Sequence, residues 1–138
     1  MDFIRRSVAC ILRDEEGRIL LQHRDKNIKR FPDCWGFFGG EIEERETPEE
    51  AVKREAKEEL GIDLKNFELF KRYELKREDN LYEEEFVFIV PLTIPLEELK
   101  KQQREGRGLG LFSSSNWKKI KIPEFERVIF EDLFATKF

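Results

Sequence analysis

The chain has 138 residues, with 26 basic and 30 acidic side chains and a net charge of −4. That length suits a single domain, expected over 1–138, and leaves no room for two independent cores. Thirteen Phe residues exclude global disorder, no apolar run approaches the ~20 residues of a membrane span, and the acidic balance argues against a nucleic-acid polymer as partner.

Segment 3–13 reads as a strand, with Val8, Cys10 and Leu12 alternating against Ala9 and Ile11. Asp14-Glu15-Glu16-Gly17 supplies a turn and 18–24 returns as a second strand, so the two predict a hairpin. Residues 25–34 are a polar, basic loop closed by Pro32, and a short aromatic strand from Trp35 to Phe38 leads into Gly39-Gly40. Thr47 is a good N-cap, Pro48 suits the first helical position and Glu50 completes a Thr-x-x-Glu capping box. With Gly61 at the left-handed cap position, the helix is predicted over 48–60. Strands follow at 67–77 and 81–91, and Pro91 and Pro95 bracket a break. Residues 96–107 read as a short helical turn and a loop, and Leu109 to Ser113 as a short strand. Pro123 opens a terminal helix with Phe125, Val128, Ile129 and Leu133 at helical spacing. This order of elements predicts an α/β fold, a mixed sheet with helices packed on its faces.

The N-terminus, Met1 to Arg6, lacks the apolar stretch of a signal peptide. Cys10 and Cys34 make no disulfide framework, and with His23 alone they make no zinc site. A cytoplasmic, reducing setting is expected.

The chemistry concentrates in the helix at 48–60. On a wheel of ~100° per residue, Val52, Ala56 and Leu60 form one apolar stripe, and Glu55, Glu58 and Glu59 share the adjoining face. Carboxylates one turn apart repel unless something positive sits between them. Arg54 is expected to point away from the cluster, so a hard divalent cation such as Mg²⁺ would resolve the repulsion. A solvated Glu-rich face is the other reading of the cluster taken alone.

The spacing decides between them. Gly40, Glu46, Arg54, Glu55, Glu58, Glu59 and Gly61 fill every fixed position of G-x₅-E-x₇-R-E-U-x-E-E-x-G-U, with Ala56 and Ile62 in the apolar slots. The segment resembles the signature of the Nudix hydrolase family, and the first hairpin, Trp35-Gly-Phe-Phe-Gly-Gly and the late Phe-containing strand and helix resemble it as well. The resemblance implies a Nudix-type α/β/α sandwich with a mixed β-sheet. It also implies Mg²⁺-dependent hydrolysis, with Mn²⁺ as substitute, of a small-molecule nucleotide by a monomer or homodimer. The reading is a (d)NTP pyrophosphohydrolase releasing a nucleoside monophosphate and pyrophosphate. The alternatives are an ADP-ribose, nucleotide-sugar or dinucleoside polyphosphate hydrolase, or a non-catalytic nucleotide sensor.

By the same resemblance the metal ligands are Glu55, Glu58 and Glu59 with the Gly39 carbonyl, joined by Glu105 from the loop before the last short strand. Glu55 or Glu58 is the catalytic base, and Arg54 and Glu46 are structural supports. Arg24 is implied as a phosphate contact and Phe37 as a base-stacking residue. The chain departs from the family pattern at Arg45, a slot that often holds Gly, and at Phe38, where Pro is usual. Phe125 stands where members that sanitise 8-oxo-guanine keep an Asn. An aromatic ring stacks on a base but cannot hydrogen-bond its edge, so Phe125 is expected to bind substrate by stacking. Broad use of nucleoside triphosphates, without strong preference for 8-oxo-dGTP, follows from that substitution.

Overall fold

The computed structural model describes residues 2–27, 29–102 and 108–136. Strand β1 (Arg5–Arg13) is the hub of the sheet. It runs parallel to β6 (Tyr82–Pro91) along its whole length, from Arg5 opposite Glu83 to Arg13 opposite Pro91. β5 (Glu68–Lys76) closes that side as an antiparallel edge. On the other side β2 (Ile19–His23) leads outward to β3 (Trp35–Gly36), while β4 (Phe38–Glu41) pairs with β1 and β7 (Gly108–Phe112) with β2. Among the described residues these seven strands make one mixed sheet.

Alternation along β1 sorts the core into two layers. Val8, Cys10 and Leu12 pack with Val52, Ala56 and Leu60 of α1 (Pro48–Leu60) and Leu99 of α2 (Leu96–Gln102). Ala9 and Ile11 pack with Trp117 and with Ile129, Phe130 and Leu133 of α3 (Arg127–Ala135). The result is the expected α/β/α sandwich, with both faces of β1 buried.

Two predicted features come out differently. The Asp14 turn forms, with the Asp14 carboxylate accepting from the Glu16 and Arg18 N–H groups at 3.0 and 2.7 Å. Beyond it the hairpin splays: β1 and β2 are in register only at Arg13 and Ile19, because β4 takes the edge of β1 and β7 that of β2. The terminal helix begins at Arg127 and not at Pro123, whose ψ of 123° is extended. A 3₁₀ turn, Glu124–Glu126, precedes it, and Val128 lies exposed. Among the described residues no helix is long and apolar enough to cross a membrane.

Candidate active site

Helix α1 starts and stops where its caps dictate. The Glu50 N–H donates to Thr47 Oγ1 at 3.1 Å, the Thr47 N–H donates to Glu50 Oε1 at 2.9 Å, and Gly61 ends the helix at φ 69°. Burial of Ala51, Val52, Ala56 and Leu60 fixes the rotation of the helix, and that rotation turns Glu55 and Glu59 toward β4. Glu59 is 8% exposed, and its Oε2 accepts the Gly39 N–H at 3.3 Å. Glu55 lies against Gly40: a Cβ there would stand 2.3 Å from Glu55 Oε1, so a side chain at this position would displace the carboxylate. Glu58 is the open member, its side chain 58% exposed against 12% for Glu55.

Gly39 takes φ 147°, and a Cβ on it would fall 1.9 Å from the Val8 carbonyl oxygen. The pair Gly39-Gly40 therefore lets β4 pass tightly between β1 and the carboxylates of α1.

Arg54 does not point away from the cluster. Its Nη1 donates to Glu55 at 2.8 Å and to Glu58 at 3.3 Å, while Nε and Nη2 clasp both oxygens of Glu46 at 2.8 and 2.9 Å. Nη2 also donates to the Glu41 carbonyl at 2.9 Å. The loop before α1 brings Glu46 to this position by holding Arg45 at φ 69°, a left-handed conformation that costs a non-glycine residue energy. The hydrogen bonds that Arg54 donates to Glu46, and after them the one to Glu55, drive its pKa up against the opposing effect of burial. In return the Arg54 hydrogen bond holds the Glu46 carboxyl below its ordinary range.

The donor set suits a hard divalent cation: carboxylate oxygens on one helix face beside the backbone of Gly39-Gly40. Among the described residues no three acidic, His or Cys side chains already converge as a metal cage. A guanidinium and a backbone N–H hold these carboxylates instead. Glu105 lies outside the described residues.

On the α3 side of the sheet, a cavity of about 110 Å³ opens beside the same glycine pair. Arg24, Phe37 and Phe125, far apart in sequence, all line it. Phe37 sits at the break between β3 and β4, where its carbonyl accepts from Gln22 Nε2 at 3.4 Å and its ring stacks on Phe130 at 4.5 Å. Phe125 stacks on Phe31 at 5.3 Å, with the Arg30 guanidinium 5.6 Å from the Phe125 ring centre. Phe31 itself takes φ 50°, a strained conformation for an aromatic residue. Arg24 Nη2 donates to the Arg30 carbonyl at 3.1 Å. Among the described residues the buried Nε of Arg24 has no hydrogen-bond partner, while that of Arg5, also in a cavity-lining residue, is ion-paired with Glu41 Oε1 at 3.5 Å.

The sequence reading missed the acidic floor of this cavity. Glu83 and Glu85 of β6 point to the same side as their register partners Arg5 and Ser7. Glu83 is ion-paired with Arg30 and, at 3.4 Å, with Arg77. Ser7 Oγ donates to Glu85 Oε2 at 2.8 Å. Glu126 reaches the cavity from the 3₁₀ turn. Burial first pushes the Glu85 carboxyl well above the usual range, with Ser7 opposing. Burial and then the charges of Glu85 and Glu83 push Glu126 up, with Arg5 and Arg24 opposing. The signal in the sequence was three consecutive acids, Glu83-Glu84-Glu85, opening an otherwise apolar strand. Glu84 points the other way, where Arg6 and Arg72 outweigh burial and hold its carboxyl low.

Remaining reactive groups are embedded in packing. Burial pushes the Cys10 thiol up to about 12, Cys34 is buried and free, and His23 stacks flat on Trp35 at 4.6 Å.

The NUDIX domain family matches residues 3–131. The 8-oxo-dGTP diphosphatase of Haemophilus influenzae is 41% identical over 68 residues, 49% of this chain and 49% of that protein. That of Escherichia coli is 39% identical over 69 residues, 50% of this chain and 53% of that protein. The matching stretch thus spans about half the length of these relatives. In three dimensions the MutT protein of Methanosarcina mazei superposes over 94% of this chain and 91% of its own, with a TM-score of 0.77 at 23% identity, a likeness of fold. With a complete carboxylate signature on α1 and a family match across nearly its whole length, the chain belongs to the Nudix family.

Proposed function

We propose that this protein is a divalent-metal-dependent hydrolase that cleaves nucleoside triphosphates to a nucleoside monophosphate and pyrophosphate. The observation that carries the reading is the adjacency, through Gly39-Gly40, of an aromatic-walled cavity and the carboxylate face of α1. The base enters the cavity between Phe37 and the Phe31–Phe125 wall, and the phosphates lie over α1. Glu55, Glu58 and Glu59, with the Gly39 carbonyl and Glu105, would hold Mg²⁺ or Mn²⁺. A cation there supplies charge screening for the phosphates and a more acidic water. Glu58, open to solvent, takes the proton of the attacking water, and Glu55 is the alternative base. Arg54 orients Glu55, Glu46 holds Arg54 in place, and Arg24 contacts phosphate through its planar guanidinium. The relatives named 8-oxo-dGTP diphosphatase support a triphosphate substrate.

Pyrophosphate release from a panel of nucleoside triphosphates tests this. Release is expected with Mg²⁺ or Mn²⁺ and none in excess chelator, and undiminished turnover in chelator overturns the metal assignment. Cleavage of ADP-ribose, nucleotide sugars or dinucleoside polyphosphates alone would move the substrate class. Nucleotide binding without any cleavage would make the protein a sensor.

A further inference from the structure

We propose that Arg30 is a positioning residue: its ion pair with Glu83 pins residues 29–34 to β6, and the pinned Arg30 carbonyl holds Arg24 in place for the substrate. This rests on the reading of the cavity as a nucleotide site.

One chain of contacts leads there. Arg30 Nη2 donates to Glu83 Oε2, a bond between side chains 53 residues apart in sequence. The Glu83 side chain is 2% exposed, so it is a fixed anchor within β6. The Arg30 carbonyl in turn accepts from Arg24 Nη2 at 3.1 Å. Among the described residues the buried Arg24 Nε is then left without a partner, on a side chain that lines the cavity. A buried donor without an acceptor is costly, and an anionic oxygen brought into the cavity satisfies it.

The pin works against the backbone. Phe31 and Asp33, on either side of Pro32, hold φ at 50° and 64°, left-handed values that cost non-glycine residues energy. The downstream end of the segment is tied by its own main chain: the Arg24 N–H donates to the Cys34 carbonyl at 2.8 Å, and the Cys34 N–H to the Phe31 carbonyl at 3.4 Å. Those bonds lie beyond Arg30. Its carbonyl is placed by the tie to β6 and by the guanidinium, which packs 5.1 and 5.6 Å from the ring centres of Phe31 and Phe125. Glu83 has a second cation, Arg77, at 3.4 Å. Removing the Arg30 charge therefore leaves no uncompensated buried anion, so the fold survives while the pin is lost. The pair uses one nitrogen of Arg30, Nη2, and a lysine ammonium can take that place.

Two measurements test this on the wild type, Arg30→Gln, Arg30→Lys, Glu83→Gln, Arg24→Gln and the double variant Arg30→Gln/Arg24→Gln. The first is the rate at which a disulfide reagent labels Cys34, buried and free within the pinned segment, with Cys34→Ser identifying the thiol. Arg30→Gln and Glu83→Gln are expected to label at least ~10-fold faster than wild type, through local opening, and Arg30→Lys within ~3-fold of it. The second is calorimetric binding, with Mg²⁺, of the α,β-methylene analogues of GTP and ATP, which resist cleavage at that bond. Arg30→Gln is expected to weaken both by at least ~5-fold alone and by ~2-fold or less on top of Arg24→Gln, because it acts through Arg24. Arg30→Lys is expected to restore most of the affinity. Circular dichroism checks that each variant is folded. Unchanged labelling in both Arg30→Gln and Glu83→Gln, or a loss of affinity of the same size with and without the Arg24 side chain, overturns the proposal. Wild type that binds neither analogue overturns the nucleotide reading of the cavity, and the labelling rates alone then decide the pin.

Discussion

Arg54 and Glu46 are joined by a two-pronged ion pair, Nε to Oε2 at 2.8 Å and Nη2 to Oε1 at 2.9 Å, and this leaves one guanidinium nitrogen, Nη1, directed at Glu55. The fork geometry requires a planar guanidinium. Arg54→Lys is therefore expected to lower kcat by ~10-fold or more with little change in KM, because Glu55 loses its orienting donor. Steady-state kinetics check this, and a variant whose loss appears in KM alone would show that Arg54 acts on substrate binding.

Glu58→Gln and Glu59→Gln should each reduce kcat by at least ~10²-fold, in the range of general-base and charge-stabilising losses. Folding should survive, since neither side chain belongs to the apolar stripe of α1. Circular dichroism together with kinetics decides the matter, and near-wild-type turnover in both variants would make the carboxylate face a solvated surface.

Gly39→Ala places a Cβ 1.9 Å from the Val8 carbonyl oxygen at a φ of 147°. Conformational strain alone amounts to ~1–3 kcal/mol, and the backbone clash adds to it. The expected outcome is insoluble protein or a clear drop in Tm. Gly108→Ala is the control: a Cβ there meets nothing within 4 Å, so its stability should stay within ~0.5 kcal/mol of wild type.

Stability should fall as the solution moves from mildly acidic to mildly alkaline. Glu85 and Glu126 have folded-state pKa values raised above the ordinary carboxylate value of 4.5. Between that value and the raised one, the folded state binds more protons than the unfolded state, so stability declines with rising pH. The depressed carboxyls of Glu46 and Glu84 act in the opposite sense, at and below 4.5. Urea titrations at about pH 5.5 and 8 should show lower stability at the higher value, and Glu126→Gln should flatten the difference. A wild type that gains stability over this interval would contradict the placement of the two acids.

Phe125→Ala removes one side of the stacked Phe31–Phe125 wall. Stacking contributes ~1–3 kcal/mol per base whatever its identity. KM for every nucleoside triphosphate accepted should rise together while kcat changes little, the pattern of lost uniform binding. Loss confined to one base would show that Phe125 takes part in selection.

Local chemistry determined the carboxylate helix. Thr47, Pro48, Glu50 and Gly61 act within one turn of their own positions, so α1 starts and stops as its residues alone require. The spacing of Glu55, Glu58 and Glu59 then puts them on one face in any structure that keeps the helix, and Nudix membership was legible for the same reason. Arg54 was misread because its direction depends on Glu46, eight residues away and brought close by a left-handed Arg45. The aromatic-walled cavity was the least visible feature. Arg5, Ser7, Glu85 and Glu126 meet only because β1 and β6 pair in parallel, at a register set by long-range packing, and because a 3₁₀ turn displaces the start of the last helix. In sequence Glu85 is one of three adjacent acids; which of them faces the cavity follows from the alternation of β6, and which side of the sheet holds the cavity follows from where α3 packs.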